Sequence, residues 1–280
     1  MTSPSTVPTR ILNDGLVLPQ IGLGTYKLVG DEGVASIVTG IHAGYRLLDT
    51  ATRYENEVEV GRAIAESGVP REDLIITTKL PGSGHGFDEC MNEFEASRSR
   101  LGLDVIDLYL IHWPNPSVNR YMDAWQAMIE LKDDGLIRSI GVCNFTKEHL
   151  TRLIDETGIT PSVNQVELHP YFPQGELRAF HEEHGIVTEC WSPLGRGTEL
   201  LREGAVVAAA AAHAVSPAQA VLRWHTQMGL VAIPKSGDPK RQQENLDVLE
   251  FTLNDSEMAS LTGLERGRLW DGDPNTHEEY

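Results

Sequence analysis

The sequence predicts an α/β fold of eight strand–helix units, and three observations support this prediction. Short runs of apolar and β-branched residues alternate with amphipathic stretches of helical period along the chain. No linker, low-complexity tract or change in composition divides the 280 residues. Polar side chains follow seven successive runs, at the point where each run ends. Eight such units close most simply into a (β/α)8 TIM barrel, so we expect a single domain over residues 1–280.

The elements follow one another in a regular order. Asn13, Asp14 and Gly15 separate two apolar runs and predict an N-terminal β-hairpin at about residues 10–19. Barrel strands are predicted at about 20–25, 46–50, 74–79, 106–112, 137–143, 162–167, 186–191 and 230–234. Helices are predicted at about 31–43, 56–67, 87–101, 119–134, 147–157, 174–184, 216–228 and 239–248. The tail at about 266–280 is expected to be irregular.

Residues with capping side chains mark several helix starts. Asn56 followed by Glu59 resembles an N-cap pair. Ser216 and Asp238 each precede a proline, which is favoured in the first turn of a helix.

An open, doubly wound sheet is the alternative fold. Such a sheet is usually marked by a GxGxxG motif after its first strand. The first strand here ends in IGLGTY, which lacks the third glycine. The other glycine-rich segment, GSGHG at 82–86, is followed by Phe87 where the last glycine belongs, which favours a flexible loop. The barrel is therefore the favoured prediction.

Composition limits the classes of partner and location. The formal net charge of −18 argues against nucleic acid or an anionic membrane as a partner. The three cysteines form neither a CxxC pair nor an even framework, and the first ten residues lack an apolar signal region, so we expect a cytoplasmic protein. The alanine-rich segment 205–212 is far shorter than the ~20 residues that a bilayer requires, which favours a packed helix.

A barrel carries its chemistry at the carboxyl ends of its strands. The polar residues at the predicted strand ends are Asp49, Lys79, His112, Asn144, Gln165, Glu167, Ser192 and Lys235. Any one of these residues is compatible with an ordinary polar loop. Together they converge on one mouth, which predicts a site there.

Asp49 and Lys79 end neighbouring strands, so an ion pair between them is expected. Tyr54 follows Asp49 by five residues, where its phenol can turn back over the mouth. An ammonium about 4 Å from a phenolate contributes roughly 4 kcal/mol at an effective dielectric constant near 20, equivalent to about three pKa units. We therefore expect the pKa of Tyr54 to fall from ~10 toward ~7, with desolvation taking back part of the shift. His112 is expected to orient or polarise an oxygen beside it. In the alternative interpretation, the ion pair merely neutralises the end of the barrel.

A second polar cluster follows the last predicted strand. Lys235, Ser236 and Arg241, with the start of a helix, predict a phosphate-binding site, which barrels often place after their last strands. Glu244 and Asn245 share a helical face with Arg241 and indicate an edge that reads adenine. A solvated helix face is the alternative, and it would explain Lys240 and Gln242.

A metal-dependent barrel hydrolase that uses His112, His169 and acidic residues is a further alternative. Such an enzyme is expected to carry an HxH pair at the end of its first strand, and the sequence GTY at 24–26 offers none. His181 and His184 lie three residues apart and do not form an HExxH motif. We therefore expect no metal site.

The motifs at these positions resemble those of the aldo-keto reductase superfamily, and most closely its bacterial branch of 2,5-diketo-D-gluconate reductase-like enzymes. The resemblance extends from about residue 10 to residue 265. It is carried by GLGTY at 22–26, LDTA at 48–51 with Tyr54, TTKL at 77–80, DLYLIHWP at 107–114, GVCNF at 141–145, NQVELHP at 164–170, SPLG at 192–195, and IPKS at 233–236 followed by Glu244 and Asn245.

The resemblance implies a barrel that binds NADPH/NADP+ and reduces aldehydes, ketones or α-dicarbonyls. It implies that Tyr54 is the general acid, that Lys79 and Asp49 tune it, and that His112 positions the carbonyl oxygen. The implied cofactor contacts are Asn144, Gln165 and Trp191 for the nicotinamide, Ser192, Leu194 and Gly195 for the diphosphate, Lys235, Ser236 and Arg241 for the 2′-phosphate, and Glu244 and Asn245 for the adenine.

Three positions depart from the pattern of the family. Cys143 stands where serine is common, Glu55 follows the tyrosine where glycine is usual, and Pro81-Gly82 replaces a frequent tryptophan. The last replacement opens one side of a substrate pocket whose expected walls are Tyr26 and Trp113. We expect a monomer that acts on a small carbonyl substrate. The alternative is a catalytically weak cofactor-binding or regulatory protein on the same barrel.

Overall fold

The computed structural model describes residues 7–270 and 272–279. The chain begins with an antiparallel hairpin of β1 (Thr9–Ile11) and β2 (Val17–Pro19), which confirms the predicted hairpin. Gly15, in the turn, has φ +92°, a conformation that favours glycine. Residues 1–6, which include most of the segment expected to lack a signal region, lie outside the described residues, as do Asp271 and Tyr280 of the tail.

Eight parallel strands follow the hairpin, and each pairs with the next along the chain. They are β3 (Leu23–Gly24), β4 (Leu47–Asp49), β5 (Ile75–Leu80), β6 (Ile106–Ile111), β7 (Ile137–Cys143), β8 (Val163–Glu167), β9 (Val187–Trp191) and β10 (Val231–Ile233). Parallel bridges join Ile21 to Ala232 and Gly24 to Lys235, so the first strand meets the last. The predicted eight-stranded barrel is confirmed.

Helices cover the outside of the barrel. Within the described residues they are α1 (Gly30–Ala43), α2 (Glu57–Ser67), α3 (Phe87–Leu101), α4 (Tyr121–Asp133), α5 (Lys147–Thr157), α6 (Gly175–Glu183), α7 (Gly204–Ala212), α8 (Pro217–Gln227), α9 (Pro239–Leu246) and α10 (Asp255–Thr262). The alanine-rich segment forms α7, as expected. Helix α10 was not predicted, although Asn254 and Glu257 form a capping box at its start.

The N-terminal hairpin packs against one end of the barrel. Leu12, Leu16 and Leu18 are buried in a cluster with side chains from the barrel strands, including Leu47 and Val231. The Gln20 side chain ties this end together by donating to the carbonyl oxygens of residues 226 and 230. The polar strand ends therefore meet at the opposite, carboxyl end of the barrel.

Two of the three predicted helix caps form as expected. The side chains of Ser216 and Asp238 accept hydrogen bonds from the backbone at the third helical position. Asn56 lies at the N-cap position of α2, as predicted, but its side chain makes no capping bond. Asn56 is instead fully buried and bonds to Thr50 and to backbone carbonyls of the loop after β3. It joins the loops that follow β3 and β4, and the second of these carries Tyr54.

In the part of the chain that the structure describes, no single helix has both the length and the apolar character to cross a membrane. Helices α7 and α8 together have enough length and apolar character, but the chain breaks between them and their axes differ in direction by 89°.

Candidate active site

A cavity of about 610 Å³ opens at the carboxyl ends of the strands. Most of the predicted site residues line it, namely Tyr26, Asp49, Tyr54, His112, Trp113, Asn144, Gln165, Trp191, Ser192, Leu194 and Lys235. Lys27, Arg196 and Trp270 also line the cavity and were not predicted. The structure thus brings together side chains from strands that are distant in the sequence.

The floor of the cavity holds a buried ion pair. Lys79 Nζ lies 2.7 Å from both carboxylate oxygens of Asp49 and 2.9 Å from the carbonyl oxygen of Thr50. Lys79 is fully buried, and although burial opposes its charge, Asp49 raises its pKa. Lys79 Nζ also lies 3.3 Å from the Tyr54 hydroxyl. The predicted contact between the ammonium and the phenol is therefore present.

The expected fall in the pKa of Tyr54 is wrong. Burial raises this pKa to about 12, because a phenolate loses its hydration in the cavity floor. Lys79 acts in the lowering direction, but Asp49 is close enough to raise the pKa in turn. The sequence-based expectation gave Lys79 more weight than desolvation, whereas in the structure desolvation is the largest effect on this pKa.

The segment after β4 positions Tyr54. A single 3-10 turn spans Thr52–Tyr54 and is closed by Glu55, whose φ of +55° lies in the left-handed region. Glu55 thus adopts a conformation that would favour glycine. The Tyr54 ring meets Tyr26 edge to face at 5.1 Å and His112 at 5.9 Å.

Glu189 extends this charged group into the interior of the barrel and was not predicted. The Gln165 amide donates to Asp49 at 2.8 Å and to Glu189 at 2.7 Å, which joins the two carboxyl groups. Burial, followed by the nearby Asp49 charge, raises the pKa of Glu189 to about 8. The strand alternation carried the missing signal, because Glu189 lies two residues before Trp191 and so shares its face.

Asn144 and Trp191 form one wall. The Asn144 amide donates to the backbone carbonyl oxygen of His112 at 3.0 Å, and its oxygen accepts from Trp191 Nε1 at 2.8 Å. Asn144 and Ser192 both have positive φ, +61° and +49°. Cys143 beside them is buried, and burial raises the pKa of its thiol well above its usual range.

A cluster of cations lies at the other end of the cavity. Partial burial lowers the pKa of Lys235, and Arg196, Arg241 and Lys27 lower it further. The Arg196 guanidinium lies 5.4 Å from the centre of the Tyr26 ring, so it reaches across the opening. Within a chain of net charge −18, these four cations form a local anion-attracting region.

Ser236 and helix α9, which follows it, contribute a mixture of exposed and buried groups beside this region. Ser236 is buried and bonds to the backbone of Asp238. Glu244 pairs with Lys240 at 3.6 Å, and Asn245 is buried beside Tyr45. Gln242 does not belong to a solvated face. It is fully buried, and its amide donates to the carbonyl oxygens of residues 36 and 236.

The C-terminal tail crosses the rim of the cavity. Its Leu269 backbone donates to Glu167, Trp270 lies 5.5 Å from Trp191, and the His277 ring lies 4.1 Å from Trp113. Sequence patterns offered no signal for this course, because the contacts join residues far apart in the chain.

His112 and His169, which the hydrolase alternative invoked, have separate partners. His112 Nδ1 lies 2.8 Å from Glu279, and His169 Nε2 lies 3.1 Å from Glu167. Across residues 7–270 and 272–279, no three His, Cys, Asp or Glu side chains are grouped as metal ligands.

The fold and site define the class of this protein, a (β/α)8 barrel whose polar cavity lies at the carboxyl ends of its strands. The family model "Aldo/keto reductase family" matches residues 20–266. The chain therefore belongs to the aldo/keto reductase family and is an oxidoreductase.

Individual relatives agree with this assignment. The chain is 60% identical to a Corynebacterium sp. protein named 2,5-diketo-D-gluconic acid reductase B, over 98% of this chain and 99% of that protein. It is 49% identical to an aldo-keto reductase of Mycolicibacterium smegmatis, over 96% and 98%.

Solved structures agree as well. An aldo/keto reductase of Brucella melitensis matches with a TM-score of 0.89 and 48% identity, over 93% of this chain and 100% of that chain. A single-residue mutant of Gox0644, solved in complex with NADPH, matches with a TM-score of 0.93 and 43% identity, over 98% and 100%.

Proposed function

We propose that this protein reduces aldehydes, ketones or α-dicarbonyls to alcohols with NADPH, and that Tyr54 supplies the proton. The observation that carries this proposal is the contact of Lys79 Nζ with the Tyr54 hydroxyl at 3.3 Å, on the floor of an open cavity. The NADPH complex of Gox0644 and the name of the Corynebacterium relative support the cofactor and the reaction class.

The residues of the cavity fit NADPH. A cationic region at one end suits phosphate groups, and the partly exposed Trp191 ring offers an aromatic face in the cavity that Tyr54 also lines. Lys235, Ser236 and Arg241 would hold the 2′-phosphate, and Ser192, Leu194 and Gly195 the diphosphate. Glu244 and Asn245 would contact the adenine. Asn144, Gln165 and Trp191 would hold the nicotinamide, which supplies the hydride when the cofactor is bound.

Tyr54 suits the role of the proton donor. Burial raises its pKa to about 12, so Tyr54 keeps its proton at neutral pH. The oxygen of a carbonyl group that accepts hydride becomes an alkoxide, which is a stronger base than a phenolate, so transfer from Tyr54 is downhill. Lys79 stabilises the phenolate that remains, because its ammonium is held in place by Asp49. His112, at the same mouth, would position the carbonyl oxygen.

The decisive experiment follows NADPH absorbance on addition of methylglyoxal or phenylglyoxal. Wild-type protein should oxidise NADPH, whereas Tyr54→Phe should bind NADPH normally and lose nearly all turnover. Retained turnover in Tyr54→Phe would remove Tyr54 from its role. The second candidate, a catalytically weak cofactor-binding or regulatory protein, predicts NADPH binding without oxidation by the wild type.

We also propose that the chain is a cytoplasmic monomer of one domain. Cys90, Cys143 and Cys190 are buried free thiols, as expected of a reducing compartment. Size-exclusion chromatography with light scattering should give the mass of one chain, 30.9 kDa.

A further inference from the structure

The loop after β5 leaves a space that the C-terminal tail fills. A Cβ atom on Gly82 would lie 1.9 Å from the carbonyl oxygen of Glu279 and 2.1 Å from the amide nitrogen of Asn115. No side chain larger than that of glycine fits there unless the tail moves. Gly82 and the tail are therefore complementary in shape.

Several bonds hold the end of the tail in this space. The Asn115 side chain donates to the Glu279 carbonyl oxygen at 2.7 Å and accepts from the Glu279 backbone nitrogen at 3.0 Å. The neighbouring Glu278 accepts from the Ser117 backbone at 2.6 Å. Asn115 is fully buried, so its two bonds form away from water and fix the backbone of Glu279.

The Glu279 side chain points from this anchor to His112. Its Oε1 atom lies 2.8 Å from His112 Nδ1 and 3.9 Å from Arg53 Nε, and its Oε2 atom accepts from the Gly82 backbone nitrogen at 3.2 Å. Burial opposes the charge of Glu279, but His112, Gly82 and Arg53 together hold its pKa below its usual range. A carboxylate therefore rests against a histidine of the candidate active site.

This contact favours one position for the proton of the His112 ring. A carboxylate oxygen and an imidazole nitrogen 2.8 Å apart repel each other when both present lone pairs, so the contact favours a proton on Nδ1, although its angles lie outside those of a usual hydrogen bond. The other ring nitrogen, Nε2, is then left for the cavity. Partners of this kind orient the imidazole ring and select its tautomer, as they do for histidines in other catalytic and metal sites.

We propose that Glu279 is a positioning residue that keeps the proton on Nδ1 of His112 and fixes the angle of its ring. The proposal rests on the proposed function for its catalytic consequence, since His112 would position the carbonyl oxygen. Glu279 acts only through His112 and takes no part in proton or hydride transfer.

Glu279→Gln and Glu279→Ala test this proposal, and Glu278→Gln is the matched control on the same tail. A glutamine has one acceptor oxygen and cannot serve both His112 Nδ1–H and the Gly82 N–H. The backbone donor cannot change, so we expect the amide oxygen to face Gly82 and the amide nitrogen to face Nδ1. The His112 proton should then move to Nε2, which ¹⁵N NMR of the ring nitrogens measures directly.

We expect Glu279→Ala to lower kcat/KM for phenylglyoxal about 10- to 100-fold, by analogy with the range found when the orienting partner of a metal-binding histidine is lost. NADPH binding, measured by fluorescence, should be unchanged, and Glu278→Gln should stay within about twofold of the wild type in all measurements. These results together would support the proposal.

Two results would overturn it: kcat/KM of Glu279→Ala within about threefold of the wild type, or ring-nitrogen signals in Glu279→Gln identical to those of the wild type. If the wild-type protein reduces no carbonyl compound, the proposed function has failed. The NMR signals would still decide in that case whether Glu279 fixes the tautomer of His112.

Discussion

Replacing Lys79 with methionine removes the cation from a fully buried ion pair. At 2.7 Å and an effective dielectric constant of about 20, the attraction between Lys79 and Asp49 is about 6 kcal/mol. Removing both charges from water costs several kcal/mol for each ion, so the pair as a whole contributes little to stability. Loss of one partner is different, because the other charge stays buried without compensation. We expect Lys79→Met to lower the free energy of unfolding by about 3–5 kcal/mol.

A double-mutant cycle separates the charge from the other contacts of Lys79. Asp49→Asn in the Lys79→Met background removes the unpaired carboxylate, so part of the lost stability should return. The carbonyl oxygen of Thr50, which accepts from Lys79 at 2.9 Å, remains without that donor, so a deficit of about 1–3 kcal/mol should persist.

Urea unfolding of the wild type, both single variants and the double variant measures these values. The reasoning is refuted if Lys79→Met costs less than about 1 kcal/mol, or if the losses of the two single variants simply add in the double variant. NADPH oxidation should be lost in all three variants, because none keeps the ammonium, the carboxylate and the phenol together.

Three further predictions follow from buried charge, backbone strain and the cationic region. Burial lowers the pKa of His181 to about 3 and those of His85 and His225 to about 4, so below pH 6.5 the unfolded chain binds protons that the folded chain excludes. The free energy of unfolding should therefore fall from pH 6.5 to pH 4, by up to about 1.4 kcal/mol per pH unit for each ring, and a flat profile in urea unfolding would contradict this. Glu55→Gly should raise stability by about 0.5–1 kcal/mol in the same assay because φ is +55°, whereas an equal gain in Glu55→Ala would exclude strain as the cause. Arg241→Ala should weaken NADPH binding about tenfold or more and leave NADH binding unchanged, and equal effects on both cofactors would refute the 2′-phosphate contact.

The order of the barrel elements followed from local patterns. The predicted strand at 137–143 agrees with the observed strand, and the predicted helices at 87–101 and 147–157 agree at both ends. The capping roles of Ser216 and Asp238 were also predictable, because each acts on a backbone group three residues away. Asn56 shows the limit of such signals, since its partners lie in another loop.

In the candidate site, too, some features were predictable from the sequence and others were not. Strand ends located Asp49, Lys79 and His112, because parallel strands present their carboxyl ends at one mouth. The pKa of Tyr54 could not be predicted from that placement, since it depends on burial and on the Asp49 charge as well as on Lys79. The partner of His112 came from the tail, where no periodic pattern indicated a contact.

The sequence by itself determined the barrel, two of its helix caps and the residues at its mouth, because these depend on periodicity and on neighbours a few positions away. Tertiary structure alone decided the raised pKa values of Tyr54 and Glu189, the bridge that Gln165 makes between two carboxyl groups, and the contact of Glu279 with His112. Desolvation and Coulomb interactions sum over all surrounding groups, and here those groups come from strands and loops far apart in the chain.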